Sequence, residues 1–325
     1  MITYRKATVD DVRPALDLAL KVFMEFEAPW YEPVAAVNFR KDCIDNQRYI
    51  DSLMSGENVM FVTLRDGNII GMVAERNGHI WLLFVDSAFH RQGIATALMN
   101  DIVCVLKLKG YNKIFLDSLP YTVPFYLNLG FHQIGEVKNE YGCIVTPMEY
   151  IPNEIWDVLD EHGNKTGRYV ERGRKMATGD YHLVVHVWKR NSKGEWLIDR
   201  RSPRGTSMDG KWETTGGAAL AGDDGLTAAL RETKEELGID LDPQKGTLFH
   251  RTVQHGNDGH TWLQDAWVFE HDCSIEDVCF QEGETCDALW ASADKIREMM
   301  ASGDFLSEWF YPYFDNMAEK WEATK

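Results

Sequence analysis

GGAALAGDDGLTAALRETKEELGI, residues 216–239, places two glycines ahead of a helix-prone run carrying Arg231, Glu232, Glu235 and Glu236. On a helix over 227–237, Glu232, Glu235 and Glu236 stand at i, i+3 and i+4 and share one face. Like charges at that spacing repel. Lys234 is the only lysine among them, and it points elsewhere. Three converging carboxylates offer the oxygen ligands preferred by Mg²⁺ or Mn²⁺. Gly216 and Gly217 allow a sharp turn and a close approach of backbone to ligand. The acidic run by itself fits a solvated helix face equally well.

The rest of the chain limits the options. Its 325 residues suggest two domains. A sequence 44% hydrophobic and 26% charged suits globular folding. No apolar run approaches the ~18 residues that span a bilayer. The opening MITYRKATVDD makes a poor signal peptide, so a cytoplasmic location is expected. None of the six cysteines forms a CxxC pair. His271, Cys273, Cys279 and Cys286 are loosely clustered, with spacings unlike a common zinc finger, and reduced thiols are expected. The net charge is −17, of which residues 1–150 carry −4 and the remainder −13. That balance argues against a nucleic-acid polymer as partner. It is compatible with a carboxylate site that needs divalent cations to meet an anionic substrate.

Two patterns divide the chain near 151–154, where Pro152 follows a strand-like run. The first half reads as a strand (ITYRKA), a helix (9–26), and a hairpin turning at Asp66-Gly67. A strand HIWLLFVDSAF, a helix ending at Gly110, a strand 111–119, a short helix near 122–130 and two closing strands follow. The second half opens with strand-like runs around His162-Gly163-Asn164, then a hairpin turning at 191–194. KWETTGG reads as a strand, followed by the acidic helix and two strands around the polar loop 257–259. ADKIREMMASG and WFYPYFDNMAEKWE read as helices.

With its flanks, the acidic stretch resembles the Nudix box: glycine, five residues, an acid, seven residues, then Arg-Glu-apolar-x-Glu-Glu-x-Gly-apolar. Gly217, Arg231, Glu232, Glu235, Glu236, Gly238 and Ile239 fit; Asp223 replaces the usual glutamate and Thr233 the usual apolar residue. The resemblance covers about 153–325 and implies a pyrophosphohydrolase of an α/β/α sandwich fold, acting on nucleoside diphosphates linked to another moiety. It assigns Glu232, Glu235 and Glu236 to Mg²⁺ or Mn²⁺. Glu235 and Glu236 also serve catalysis, with Glu235 either a ligand or the acceptor of the water proton, and Arg231 orients the carboxylates. Glu284 matches a late catalytic acid, or is a strand-edge glutamate. Within the family, WDVLDEHGNKTG, GDYHLVVHVW and GEWLIDRRS resemble the isopentenyl diphosphate isomerase branch. The isomerases place a cysteine and then a histidine just beyond the tryptophan strand. Here Trp212 to Gly217 contains neither, which favours hydrolysis. LIDRRSPRG only faintly resembles the branch that cleaves coenzyme A.

In the first half, VDSAFHRQGIATALM (85–99) runs from a strand through a glycine turn into a helix. Free amides at such a helix start form an anion site. His90-Arg91-Gln92-Gly93-Ile94-Ala95 resembles the pyrophosphate-binding motif of the GNAT acetyltransferases, and PFYLNLGF their second motif. The resemblance implies a mixed central sheet flanked by helices over 1–150. It assigns acetyl-CoA to His90, Arg91, Gln92, Gly93 and Ala95, with Phe84 and Val85 contributing main chain. Tyr126 becomes the general acid for the departing thiolate. Ser118 stands where many relatives have asparagine. The acceptor base is open among Glu25, Glu27, Glu75 and Asp117. Trp30, Tyr31 and Trp81 line an acceptor pocket or pack; His182 and His186, on one strand face, read more readily as packed or exposed residues than as ligands.

The expectation is thus an α/β and α+β two-domain enzyme: a GNAT N-acetyltransferase (1–150) and a Mg²⁺-dependent Nudix pyrophosphohydrolase (153–325). Its substrates would be an amine (of a small molecule, a protein N-terminus or a lysine) and a small diphosphate compound, with no membrane partner. The alternatives are a CoA-sensing domain fused to a hydrolase, and an isomerase-like enzyme.

Overall fold

The computed structural model describes residues 2–140, 142–256 and 260–323, so the loop 257–259 lies outside the described residues. The chain forms two compact units, Met1–Ile155 with Tyr169–Arg172, and Trp156–Arg168 with Gly173–Lys325.

In the first unit, Ile2–Lys6, Met60–Arg65, Asn68–Arg76 and His79–Val85 pair antiparallel in that order. Asp66 and Gly67, both at positive φ, make the predicted turn. His79–Val85 then runs parallel to Ile114–Ser118, but only through His79 opposite Phe115 and Ile80 opposite Leu116. Ile114–Ser118 pairs antiparallel with Cys143–Tyr150, which also pairs with His132–Gln133 and Lys138–Glu140. The sheet is buried on both faces. Phe61, Val73 and Ile80 pack with Leu98, Ile102 and Leu106 of the helix Ile94–Leu108. Their strand neighbours Met60, Val62, Met72 and Leu82 pack with Val12, Leu16 and Ala19 of the helix Val9–Phe26. Burial of each such side chain contributes about 1.5–3 kcal/mol.

Two helices in this unit, Pro33–Phe39 and Gln47–Ser55, were not anticipated. The first closing strand is shorter than expected, with only His132–Gln133 paired from FHQIGEV, whereas the second runs Cys143–Tyr150. The run expected as one strand through Phe89 stops at Val85 and continues as a 3₁₀ turn, Ser87–Phe89.

In the second unit the sheet order is Trp212–Glu213, Trp196–Arg201, His182–Arg190, Thr261–Glu270, Gly246–His255. Gly216–Ala218 adds to His182–Arg190, and Thr285–Ala291 to Trp196–Arg201. KWETTGG is therefore two short strands, paired to different partners, rather than one. Leu183, Val185, Val187 and Leu197 face the helix Gly225–Leu237. Trp188, Trp196 and Ile198 face the helices Ala293–Ser302 and Phe314–Glu322. Period-2 alternation thus sends each strand's side chains to opposite helical layers. The last helix begins at Phe314; Trp309–Tyr313 precedes it.

Candidate functional site

The acidic helix starts where Asp224 accepts a hydrogen bond from the Thr227 N–H, and it stops at Gly238 in the left-handed region. Arg231 organises its face. Its Nη1 donates to Glu232 Oε1 at 2.9 Å and Glu235 Oε2 at 3.0 Å. Its Nη2 donates to the Ala218 carbonyl at 3.0 Å, and its Nε to Asp223 Oδ2 at 3.2 Å. Asp223 also accepts from Leu220 N–H, so the shortened acid braces the loop. Thr233, fully buried, bonds the Ala229 carbonyl within the helix. Lys234 turns away to Asp240.

Glu232 lies against Gly217: a β-carbon there would stand 2.4 Å from the Glu232 carboxylate. Glu235 is half exposed. Glu236 has a carboxyl held well above its usual range by desolvation, then by the charges of Asp199, Glu213 and Glu232, with Lys189 opposing. Among the described residues, no three His, Cys, Asp or Glu side chains are gathered closely enough to enclose an ion. The donor set still fits a hard divalent cation: carboxylate oxygens only, one seated in the Gly217 cradle, and an excess of negative charge at Glu236 that a cation relieves. The Glu284 carboxylate pairs with Arg204.

Beneath the helix lies a polar cluster that sequence reasoning missed. Lys189, fully buried, donates to Thr215 Oγ1 at 2.5 Å, and Thr215 donates to Asp199 Oδ2 at 2.8 Å. Burial pushes the Lys189 amine down and the Asp199 carboxyl up. Glu213, paired with Arg201 at 2.7 Å, is raised to about 7 by desolvation and by Asp199. The signal was in the alternation: Lys189 follows Val185 and Val187 on one strand face, and Asp199 follows Leu197. His182 and His186 are buried and pulled down to about 3, mainly by desolvation. His182 stacks on Trp156, and His186 Nδ1 lies 2.8 Å from the Tyr313 hydroxyl. The cysteines are free thiols.

In the first unit, Gly93 (φ 81°) caps the helix Ile94–Leu108 with no side-chain hydrogen bond to its first amides. Arg91 also has positive φ, 62°. A β-carbon on Gly93 would meet open space. His90 contributes its ring as well as backbone: Nε2 sits 2.8 Å from the Val85 carbonyl, which is thereby already engaged. Phe84 packs edge-on to Phe39. Gln92 and Ala95 lie on the same turn and first helical residues. Beyond Ile80 and Leu116 the two parallel strands no longer pair, which leaves the Trp81–Val85 edge open on that side. Tyr126 is buried against Phe125 and Phe131, and its phenol is raised by desolvation and by the charge of Glu27.

The four candidate bases separate. Glu75 is fully buried and accepts from Val59 and Gly78 N–H, both at 2.9 Å, with Lys109 at 3.4 Å. Asp117 faces Lys138 at 3.3 Å and His79 at 3.4 Å. Glu25 is exposed. Glu27 is buried. Of the tempting aromatics, Trp81 packs with its indole N–H on Cys43, Tyr31 is only partly buried, and Trp30 is 81% exposed.

An uncapped glycine turn beside a splayed parallel pair, and an arginine-organised acidic helix over a double glycine, are the candidate sites of the two units. Residues 27–152 match the Acetyltransferase (GNAT) domain, and residues 180–310 the NUDIX domain. The chain is 35% identical to an uncharacterised Nudix hydrolase of Listeria monocytogenes over 162 residues, 50% of this chain and 90% of that protein. It is 41% identical to Nudix hydrolase 3 of Arabidopsis thaliana over 46% of this chain but 21% of that protein. It is 24% identical to an isopentenyl-diphosphate Delta-isomerase of Pectobacterium atrosepticum over 52% of this chain and 93% of that protein. The chain belongs to the Nudix hydrolases and carries a GNAT acetyltransferase domain ahead of the Nudix domain. Both are enzyme domains. Among the described residues no helix is long and apolar enough to cross a membrane.

Proposed function

We propose that the chain is bifunctional, with residues 1–150 transferring acetyl from acetyl-CoA to an amine and residues 153–325 hydrolysing a nucleoside-diphosphate-type small molecule. The observation that carries the hydrolase reading is the Glu232 carboxylate seated on Gly217 and tied through Arg231 to Glu235. Glu232, Glu235 and Glu236 would hold Mg²⁺ or Mn²⁺. A bound divalent ion supplies neutralisation of the diphosphate and a lowered pKa for water. Arg231 holds Glu232 and Glu235 in register with the loop, and Glu235, half exposed, is the side chain open to accept a proton from water. Glu284 enters only if Arg204 releases it.

In the first domain, the free amides after Gly93 receive the pyrophosphate of acetyl-CoA, with Arg91 and Gln92 on the same turn. The open Trp81–Val85 edge, apart from the Val85 carbonyl that His90 already engages, offers main-chain partners to an extended arm. Tyr126, whose phenol is held protonated, supplies a proton to the thiolate.

Isomerisation needs a proton donor and acceptor across an allyl unit, and Trp212 to Gly217 contains neither cysteine nor histidine. Hydrolysis is the reading the residues support. A screen of nucleoside-diphosphate compounds with Mg²⁺, read by phosphate-containing products, tests it. Calorimetric titration with acetyl-CoA tests the first domain.

A further inference from the structure

Glu27 ends the helix Val9–Phe26. Its N–H still bonds the Phe23 carbonyl, while its own carbonyl accepts from Trp30 N–H, turning the chain into a 3₁₀ segment that contains Pro29. At this turn the side chain is buried, 3% exposed. Oε1 accepts from the Tyr121 hydroxyl. Oε2 is buried and has no hydrogen-bond partner.

Its hydrogen-bond partner and the groups that its charge raises come from four segments. Tyr121 lies before the helix Val123–Asn128, and Tyr126 lies on it. Tyr31 follows the 3₁₀ turn, and Cys143 opens the last strand. All are neutral, and none is a cation. Glu25, on the same helix, reaches Ser87 instead. A buried carboxyl with a bare oxygen and no cation is costly to keep. Glu75 shows how this domain satisfies an acid that serves the fold, with two backbone donors and a lysine. Glu27 lacks such partners.

We propose that Glu27 is the proton acceptor of the acetyl transfer, and that the acetyl acceptor is a small molecule presenting a protonated primary amine on a slender arm to Glu27 Oε2. The proposal rests on the acetyltransferase reading of residues 1–150. A carboxyl this deeply buried excludes a broad nucleophile. Among the described residues no cation pairs with it, which favours an acceptor whose reactive end is itself cationic. Exposed Trp30 and Tyr121 add aromatic faces that attract an ammonium group.

The ammonium gives one proton to the Glu27 carboxylate. The freed nitrogen lone pair attacks the acetyl carbonyl carbon and the C–N bond forms. As the C–S bond breaks, the nitrogen loses its second proton and the sulfur gains one, with the Tyr126 phenol giving its proton to sulfur and recovering one from nitrogen. Glu27 then returns its proton to water, and nothing is oxidised or reduced. Burial lifts Glu27 to about 7, so near neutral pH it is poised to take a proton. The Glu27 charge helps to keep the Tyr126 phenol protonated.

The test uses the full-length protein, acetyl-CoA and three probe amines, tyramine, phenethylamine and spermidine, with thiol release as the readout. Glu27→Gln should lower kcat/KM by about 100-fold or more and remove the rising limb of its pH profile. Its acetyl-CoA dissociation constant, measured by calorimetry, should stay within about twofold of wild type. Independently of any acceptor, carboxyl ¹³C NMR should show one resonance titrating at about 7, absent in Glu27→Gln and moved lower by the probe amines. An unchanged rate and pH profile in a variant that binds acetyl-CoA normally would overturn the assignment. So would the absence of a carboxyl titrating well above the ordinary range. Failure of the wild type to bind acetyl-CoA would instead overturn the acetyltransferase reading, and this proposal with it.

Discussion

Gly217 and Glu232 share one space: the carboxylate at 232 fills the position where a side chain at 217 would begin, with the would-be β-carbon 2.4 Å from it. Gly217→Ala should therefore leave the fold intact, because the atoms that must move are the far end of a flexible side chain. The acid is displaced, and diphosphate hydrolysis should fall by about 100-fold, the scale of a 1 Å misplacement. Melting curves and turnover on the same variant check both halves. Native turnover would show that the seating of Glu232 is immaterial.

Glu236 is partly buried and faces the charges of Asp199, Glu213 and Glu232, which a bound cation would offset. Glu236→Gln should lower Mg²⁺-dependent hydrolysis by orders of magnitude in a domain that stays folded. Undiminished activity would remove the helix from the site.

Gly93 adopts a backbone conformation that disfavours side chains, yet it faces open space. Gly93→Glu should cost about 1 kcal/mol in strain. Its added negative charge beside the helix start should abolish acetyl-CoA binding by calorimetry. Hydrolysis on the same variant should persist. A parallel loss of both activities in folded protein would favour the reading in which CoA controls the hydrolase.

His186 is buried beside the Tyr313 hydroxyl and pulled down to about 3. Its folded pKa lies below the unfolded value of about 6.5, so its contribution to stability is present above that value and is lost as pH falls towards about 3. Its ring C–H resonance should stay fixed between about pH 8 and pH 5. A midpoint near its ordinary value would contradict the burial.

Isopentenyl diphosphate, incubated with the protein and Mg²⁺, should yield no dimethylallyl isomer by mass-resolved chromatography. Appearance of that isomer would reverse the choice of hydrolysis.

The architecture was legible where period and punctuation agreed. Asp66-Gly67 marked a hairpin, and three acids at fixed offsets marked a helix, whose caps at Asp224 and Gly238 the structure then supplied. Pro33–Phe39 and Gln47–Ser55 escaped because they are only 7 and 9 residues long, too short for periodicity to show. Lys189, Thr215 and Asp199 escaped because they meet only when two strands and the link ahead of Gly216–Ala218 are laid side by side. Glu27 was one of four equal acids in the sequence. What singles it out is an oxygen left without a donor, and that is a property of packing.

The four acceptors of Arg231 have a consequence for how this segment tolerates change. One rigid guanidinium fork joins Ala218, Asp223, Glu232 and Glu235, so loop and helix close into a ring of covalent and hydrogen bonds. The path from 218 to 231 is fixed in length by that ring. Inserting or deleting one residue between Asp224 and Arg231 would turn the helix by about 100° and carry the fork away from the loop. Substitutions such as aspartate at 223 or threonine at 233 leave the ring closed, whereas changes of length open it. The segment is thus indifferent to several of its letters and strict about their number.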